Sequence, residues 1–219
     1  MCGKFTQKVR WQDAVTPRAF DDAPDDAEET VTPMRFAGVV CRDAEGKRVV
    51  RRMRWGLVPA DARSDLDGTK FIHARAETIE RKPTFRDAFF NRRGLVAVNS
   101  FNEGKEITPS RTEQYVITPR DRAMVAIAVI WERWQGPGPV ALETFAMVTT
   151  PPNAVVGTIT DRMPAVLDEA DWPKWLGEEP ATVDELKAML KPSDIAMDLQ
   201  KAGKPPPPPK PDSPQGSLF

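Results

Sequence analysis

The 219-residue chain has little cysteine, histidine or tyrosine: two, one and one residues. Two cysteines, Cys2 and Cys41, cannot staple a fold with disulfides and fit the reducing conditions of a cytoplasm. A single histidine, His73, excludes multi-histidine zinc motifs, so neither a metal nor a cofactor is expected. No apolar run approaches the roughly 20 residues that a membrane helix needs. The start lacks a basic segment followed by an apolar one, which speaks against a secretory signal and a membrane partner. Acidic and basic residues nearly cancel, leaving a net charge of −1. Any nucleic-acid surface must therefore be local rather than a property of the whole chain. What is plentiful is apolar: hydrophobic residues make up 40%, with six tryptophans, enough for one sizeable domain.

The chain opens Met1-Cys2-Gly3-Lys4-Phe5-Thr6-Gln7. Initiator methionine is removed when the next residue is small, which would leave Cys2 with a free α-amine and a thiol on one residue. Their reference pKa values, about 8 and about 8.5, make a usable fraction of each nucleophilic near neutrality. Such a 1,2-aminothiol attacks an aldehyde through nitrogen and then closes a five-membered thiazolidine through sulfur. Cys2 is equally an ordinary small residue after the start codon on these residues alone.

Further along, Trp11–Phe20 reads as a short helix and Asp21–Glu29 as a solvated acidic loop. Strands are expected over Gly38–Arg42 and Arg48–Trp55, across an Asp43-Ala44-Glu45-Gly46 turn. The second strand, with Lys47, Arg48, Arg51, Arg52 and Arg54, is the densest basic stretch, a phosphate-tracking surface or a solvated face. Trp55 beside it would suit stacking on an unpaired base, or the core. Asp61–Lys70 reads as a loop, and Pro83 as the first residue of a helix to Asn91. An apolar strand over Gly94–Ser100 delivers Phe101-Asn102-Glu103-Gly104. There Glu103 is either partly desolvated for acid–base work or an exposed loop residue. Gln114–Thr118, Met124–Trp131 and Thr144–Thr149 read as strands, Thr150-Pro151 as a helix cap, and Thr182 with Glu185 as a capping box for a helix to Leu190. Strands outnumber helices without regular alternation, which predicts an α+β domain with mainly antiparallel sheet.

From Lys191 the composition changes, and Pro205–Pro209 is an unbroken proline run. The reading is a domain over 1–191, a Pro-rich linker over 192–214 unable to bury enough apolar surface to fold, and a terminal peptide over 215–219. That peptide, Gln215-Gly216-Ser217-Leu218-Phe219, resembles the bacterial sliding-clamp-binding motif, in which the glutamine and the Leu-Phe pair fill separate pockets. A clamp partner through Gln215, Leu218 and Phe219 is the expectation; an SH3-like partner for the proline run is the alternative.

Taken together, Cys2-Gly3, Trp55-Gly56-Leu57-Val58-Pro59, Ala74-Arg75-Ala76-Glu77-Thr78, Phe101-Asn102-Glu103, Trp131-Glu132-Arg133-Trp134 and Asp161-Arg162-Met163-Pro164 resemble the SOS-response-associated peptidase family. That family covalently captures abasic sites in single-stranded DNA. The resemblance spans roughly Cys2 to Leu190 and implies one barrel-like, mainly antiparallel domain with peripheral helices, acting as a monomer. It also implies that Cys2 forms the thiazolidine and that Glu103 is the catalytic glutamate. Lys4, Arg75, Arg162, Arg52, Arg54, Thr149 and Thr160 would line the DNA, and Trp55 would lie beside the bound strand. Three positions depart from the family pattern: Lys4 stands for arginine, His73 for asparagine, and Thr160 for the histidine before Asp-Arg-Met-Pro. His73 either supplies a replacement proton shuttle from the opposite wall or is structural. Two other classes stay open. N-terminal-nucleophile glutamine amidotransferases also begin Met-Cys-Gly, although their Asn-Gly element does not occur in this sequence. A non-covalent single-strand-binding adaptor on the clamp would make Cys2 incidental.

Overall fold

The molecule, a computed structural model, is described over residues 2–8, 29–139 and 141–203. The helix expected over Trp11–Phe20, most of the acidic loop after it, and the tail with Gln215, Leu218 and Phe219 lie outside the described residues. In chain order the strands and helices are β1 (Lys4–Gln7), β2 (Glu29–Val31), β3 (Phe36–Arg42), β4 (Arg48–Trp55), β5 (His73–Arg75), α1 (Pro83–Asn91), β6 (Arg93–Val98), β7 (Ser100–Thr108) and β8 (Arg111–Pro119). They continue with β9 (Val125–Trp134), β10 (Leu142–Thr150), β11 (Met163–Pro164), β12 (Val166–Leu167), α2 (Trp172–Leu176), α3 (Val183–Met189) and β13 (Met197–Lys201).

These strands make two sheets. One has the order β13-β8-β7-β1-β2; the other runs β11-β10-β4-β3-β6-β9-β12. In the larger sheet β9 also pairs antiparallel with β10, which closes β10, β4, β3, β6 and β9 into a ring. Pairing is antiparallel except where β10 runs parallel to β4 and β5. The fold is thus the α+β, barrel-like domain that the sequence led us to expect.

Alternation along the ring strands builds two cores, because successive side chains point to opposite faces. Val40, Leu95, Ala97, Ala128 and Val148 pack under the helices, against Phe85 and Phe89 of α1 and Trp175 of α2. Val39, Cys41, Met53, Trp55, Val96, Ile127 and Met147 pack toward the smaller sheet, against Phe5, Val31, Phe101 and Ile117. The Val/Ile-rich strands carry near-continuous apolar runs because both faces are covered. α1 starts on Pro83, whose missing N–H costs nothing at a first-turn position, and α3 begins with the Thr182–Glu185 capping box.

Three local expectations need correction. Thr150 does not cap a helix: it ends β10, and its hydroxyl donates to the Pro151 carbonyl. The fold does not stop at 191, since β13 pairs along β8 from Met197↔Pro119 to Lys201↔Tyr115. Met197 is buried on that edge, and strand pairing outweighs the polar character that made 192–203 read as linker. Finally, 61–70 is not all loop: Asp65–Lys70 forms a short 3-10 helix capped by Ser64. It presses against the turn after β4. There Gly56 takes φ +122°, and a Cβ on Gly68 would strike the Gly56 carbonyl, so both positions require glycine.

Candidate active site

β1 lies beside β7 with Lys4 opposite Asn102 and Phe5 opposite Phe101. Continuing that register brings the Cys2-Gly3 start alongside Glu103. Glu103 is not in a loop. It sits inside β7, opposite Tyr115 of β8, and is 1% exposed. Burial pushes its carboxyl up to about 7, with attraction from the terminal amine only partly opposing. Cys2 is fully buried and its thiol donates to the Lys4 carbonyl at 3.4 Å. Burial, reinforced by the nearby Glu103 charge, pushes the thiol up to about 12. The same two elements therefore hold a dormant sulfur and a carboxyl that titrates near neutrality.

The opposite wall comes from β5, which pairs in parallel with β10 so that His73 faces Met147 and Arg75 faces Thr149. Burial holds His73 down at about 4, although the Cys2 backbone lies near enough to favour the charged ring. Both ring nitrogens are shielded from solvent without a well-formed hydrogen bond among the described residues. His73 is thus a neutral imidazole at physiological pH. Its ring lies edge-on to Trp55, with centroids 5.9 Å apart.

Arg162 closes this wall. Its guanidinium bridges Glu77 (Nη2 to Oε2, 2.9 Å), the Thr149 carbonyl (2.7 Å) and the Thr149 hydroxyl (3.2 Å). The arginine is buried while the Glu77 side chain is 46% exposed, so the pair opens to solvent on its acidic side. Hydrogen bonding from Arg162 holds the Glu77 carboxyl below its ordinary range. Neither Glu77 nor this pairing was apparent beforehand, because 85 residues separate the partners. Thr149 is buried as the acceptor of Arg162, and Thr160 is half-buried just after the 3-10 turn Val156–Thr158, its amide bonded to the Val156 carbonyl. Lys4 and Arg75 are exposed and carry no ion pair among the described residues.

The basic strand β4 does not form a free phosphate track. Arg48 pairs with Glu178, Arg51 with Glu143, Arg52 with Glu29 and Arg54 with Asp65. The acids come from neighbouring segments distant in sequence, so the strand read alone overstated its free charge. Trp55 also corrects an expectation: it is 0% exposed, its indole N–H donates to the Ile72 carbonyl at 2.8 Å, and its rings lie against Phe5 and Phe145. A buried indole offers no face to a base. Instead, Trp55 packs against His73 and belongs to the same buried core cluster as Cys2. Trp55→Phe is expected to lower stability by about 1–2 kcal/mol in urea unfolding, through the lost hydrogen bond and smaller volume. Affinity for undamaged single-stranded DNA should not change. A loss of roughly fivefold or more, as removal of a base stack gives, would restore the stacking role.

Among the described residues no group of three or more His, Cys, Asp or Glu side chains gathers to hold a metal, and no helix is long and apolar enough to cross a membrane. The family model described as SOS response associated peptidase (SRAP) matches residues 1–203. Abasic site processing protein YoqW of Bacillus subtilis is 31% identical over 198 residues, covering 89% of this chain and 88% of that protein. Abasic site processing protein HMCES of Xenopus tropicalis is 27% identical over 172 residues, covering 67% of this chain and 51% of that protein. A crystal structure of a Bacteroides thetaiotaomicron protein matches with a TM-score of 0.78 at 24% identity over 93% of each chain, a likeness of fold.

Proposed function

The chain belongs to the SOS response associated peptidase family, and from that premise we propose that it processes abasic sites in DNA by capturing them covalently on Cys2. The observation that supports this most is the buried Glu103 carboxyl, titrating near 7, beside the only residue that can offer an amine and a thiol together. The names of the relatives supply the lesion; the chemistry follows from the residues.

Removal of Met1 frees the Cys2 α-amine. The amine adds to the C1′ aldehyde of the ring-opened abasic sugar, and Glu103 carries a proton from nitrogen to the carbinolamine oxygen. Glu103 then gives its own proton to the hydroxyl, which leaves as water, so that a protonated imine and an ionised Glu103 remain. The Cys2 thiol passes its proton to the Glu103 carboxylate and its sulfur adds to the same carbon, closing the thiazolidine and restoring the carboxyl. In the Met1-bearing chain the thiol is held neutral by burial. A free α-ammonium on the same residue would stabilise the thiolate, so processing of Met1 is what arms the sulfur.

His73, neutral at working pH, would act by hydrogen bonding to the sugar oxygens rather than as a cationic acid. The exposed Lys4 and Arg75 would hold flanking phosphates, with Arg162 orienting the wall behind them. The test is to incubate Met1-processed protein with an abasic single strand and resolve the mixture on a denaturing gel. A retarded band is expected; its absence overturns the reading. A His73→Ala protein that forms the band at the parental rate would remove His73 from the mechanism.

A further inference from the structure

Beside β2 and the start of β3 lies a cleft of about 360 Å³ that the chemistry above does not use. Its lining includes Thr32, Arg35, Phe36, Arg52 and Glu29. Arg35 is exposed and makes no ion pair among the described residues. Phe36 is 42% exposed, unusual for a phenylalanine at the start of a strand whose next five residues are buried. Between Pro33 and Arg35, Met34 adopts φ +69°, a left-handed conformation that a methionine rarely takes. The turn is nevertheless fixed: the Met34 amide donates to the Trp55 carbonyl, the Trp55 amide to the Arg35 carbonyl, and the Arg35 amide to the Thr32 carbonyl. These bonds hold the backbone of Arg35 and Phe36 at the cleft despite the strained turn.

One end of the cleft lies close to the site. Phe5 pairs with Val31, so Thr32 follows on beside Lys4. At about 3.3 Å per residue and about 4.8 Å between strands, the Thr32 end lies on the order of 8 Å from Cys2. Glu29 offsets Arg52, to which it is bonded at 3.1 Å, and Arg35 and Lys4 along this edge make no ion pair among the described residues. An unpaired guanidinium next to an exposed ring suits one phosphate and one base of a single strand.

We propose that this cleft seats the nucleotide flanking the captured lesion on one side, Arg35 on its phosphate and Phe36 against its base. This rests on the function proposed above and gives it a second contact point.

The test measures binding of the full chain to undamaged single strands by fluorescence anisotropy at several salt concentrations, and crosslinking to abasic strands truncated on the 5′ or the 3′ side. Arg35→Ala should lower the magnitude of the logarithmic salt slope by about 0.7, the value for one lost single-strand phosphate contact. Phe36→Ala should weaken binding about fivefold, and Phe36→Tyr should restore it. Both alanine variants should lose their defect on a strand truncated on one particular side, and should crosslink at the parental rate at saturating DNA. Parental affinity and salt slope in both variants would overturn the cleft assignment. Normal anisotropy effects without any crosslink in the parent would leave the cleft standing and instead overturn the covalent function.

Discussion

Cys2→Ala protein, processed at Met1, is expected to give no heat-stable conjugate with an abasic single strand, yet to be trapped on it by borohydride. Alanine keeps the α-amine and is small enough for methionine removal, so nitrogen still forms the imine. Without sulfur the imine has no second bond to make and hydrolyses on denaturation, whereas borohydride reduces it to a stable secondary amine. The substitution removes one sulfur from a fully buried position, a cost of about 1 kcal/mol, so folding is retained. The two measurements separate the competing readings. A glutamine-hydrolysing enzyme would lose glutaminase activity and trap no DNA with either protein. A non-covalent adaptor would yield no band with the parent. A heat-stable band of equal intensity without sulfur or borohydride would sink the thiazolidine.

The sequence made the ring strands legible because their patterns are local. β3, β4 and the Asp43–Gly46 turn between them depend on neighbours a few residues apart, as do the Pro83 helix start and the Thr182–Glu185 box. The closure of the ring was not readable, since β4–β10 and β5–β10 pair in parallel across about the middle third of the chain. The same distance explains the errors at the site. Arg52 and Arg54 look like free charge until Glu29 and Asp65 are brought beside them. Trp55 looks like a stacking platform until Phe5 and Phe145 cover it. Glu103 is the informative case. Next to Gly104 and a charged run it reads as exposed, but its inward phase in β7 buries it, and that burial lifts its carboxyl towards neutrality. β13 failed for another reason: a solvent-edge strand needs only alternate apolar residues, and Met197 and Leu199 are too few to stand out before a proline tail.

Glu103→Gln is expected to slow crosslinking by about 10²- to 10⁴-fold, the usual worth of a positioned acid–base group, while making the protein more stable above neutrality. Both effects come from one cause. Burial raises the folded-state carboxyl from 4.5 to about 7. The folded protein therefore holds a proton that the unfolded chain has already released between those values. Below pH 4.5 the carboxyl is neutral in both states and burial costs little. As pH climbs through 7 the folded state must bury a carboxylate, and the parent loses up to about 3 kcal/mol. Glutamine has no charge to bury, so its advantage in urea midpoint should be present at pH 8 and small at pH 4.5. In the same interval the parent's crosslinking rate should rise with pH, because only the ionised carboxylate can take a proton from the attacking amine. The glutamine protein should lose that rise and show only the limb belonging to the α-amine near 8. An equal stability gain at both pH values would mean that Glu103 is not desolvated as described. A parental rate in the glutamine protein would place the proton transfer elsewhere. On the proposed function, a residue that weakens the fold above neutrality is the trade expected of a group kept for chemistry rather than for packing.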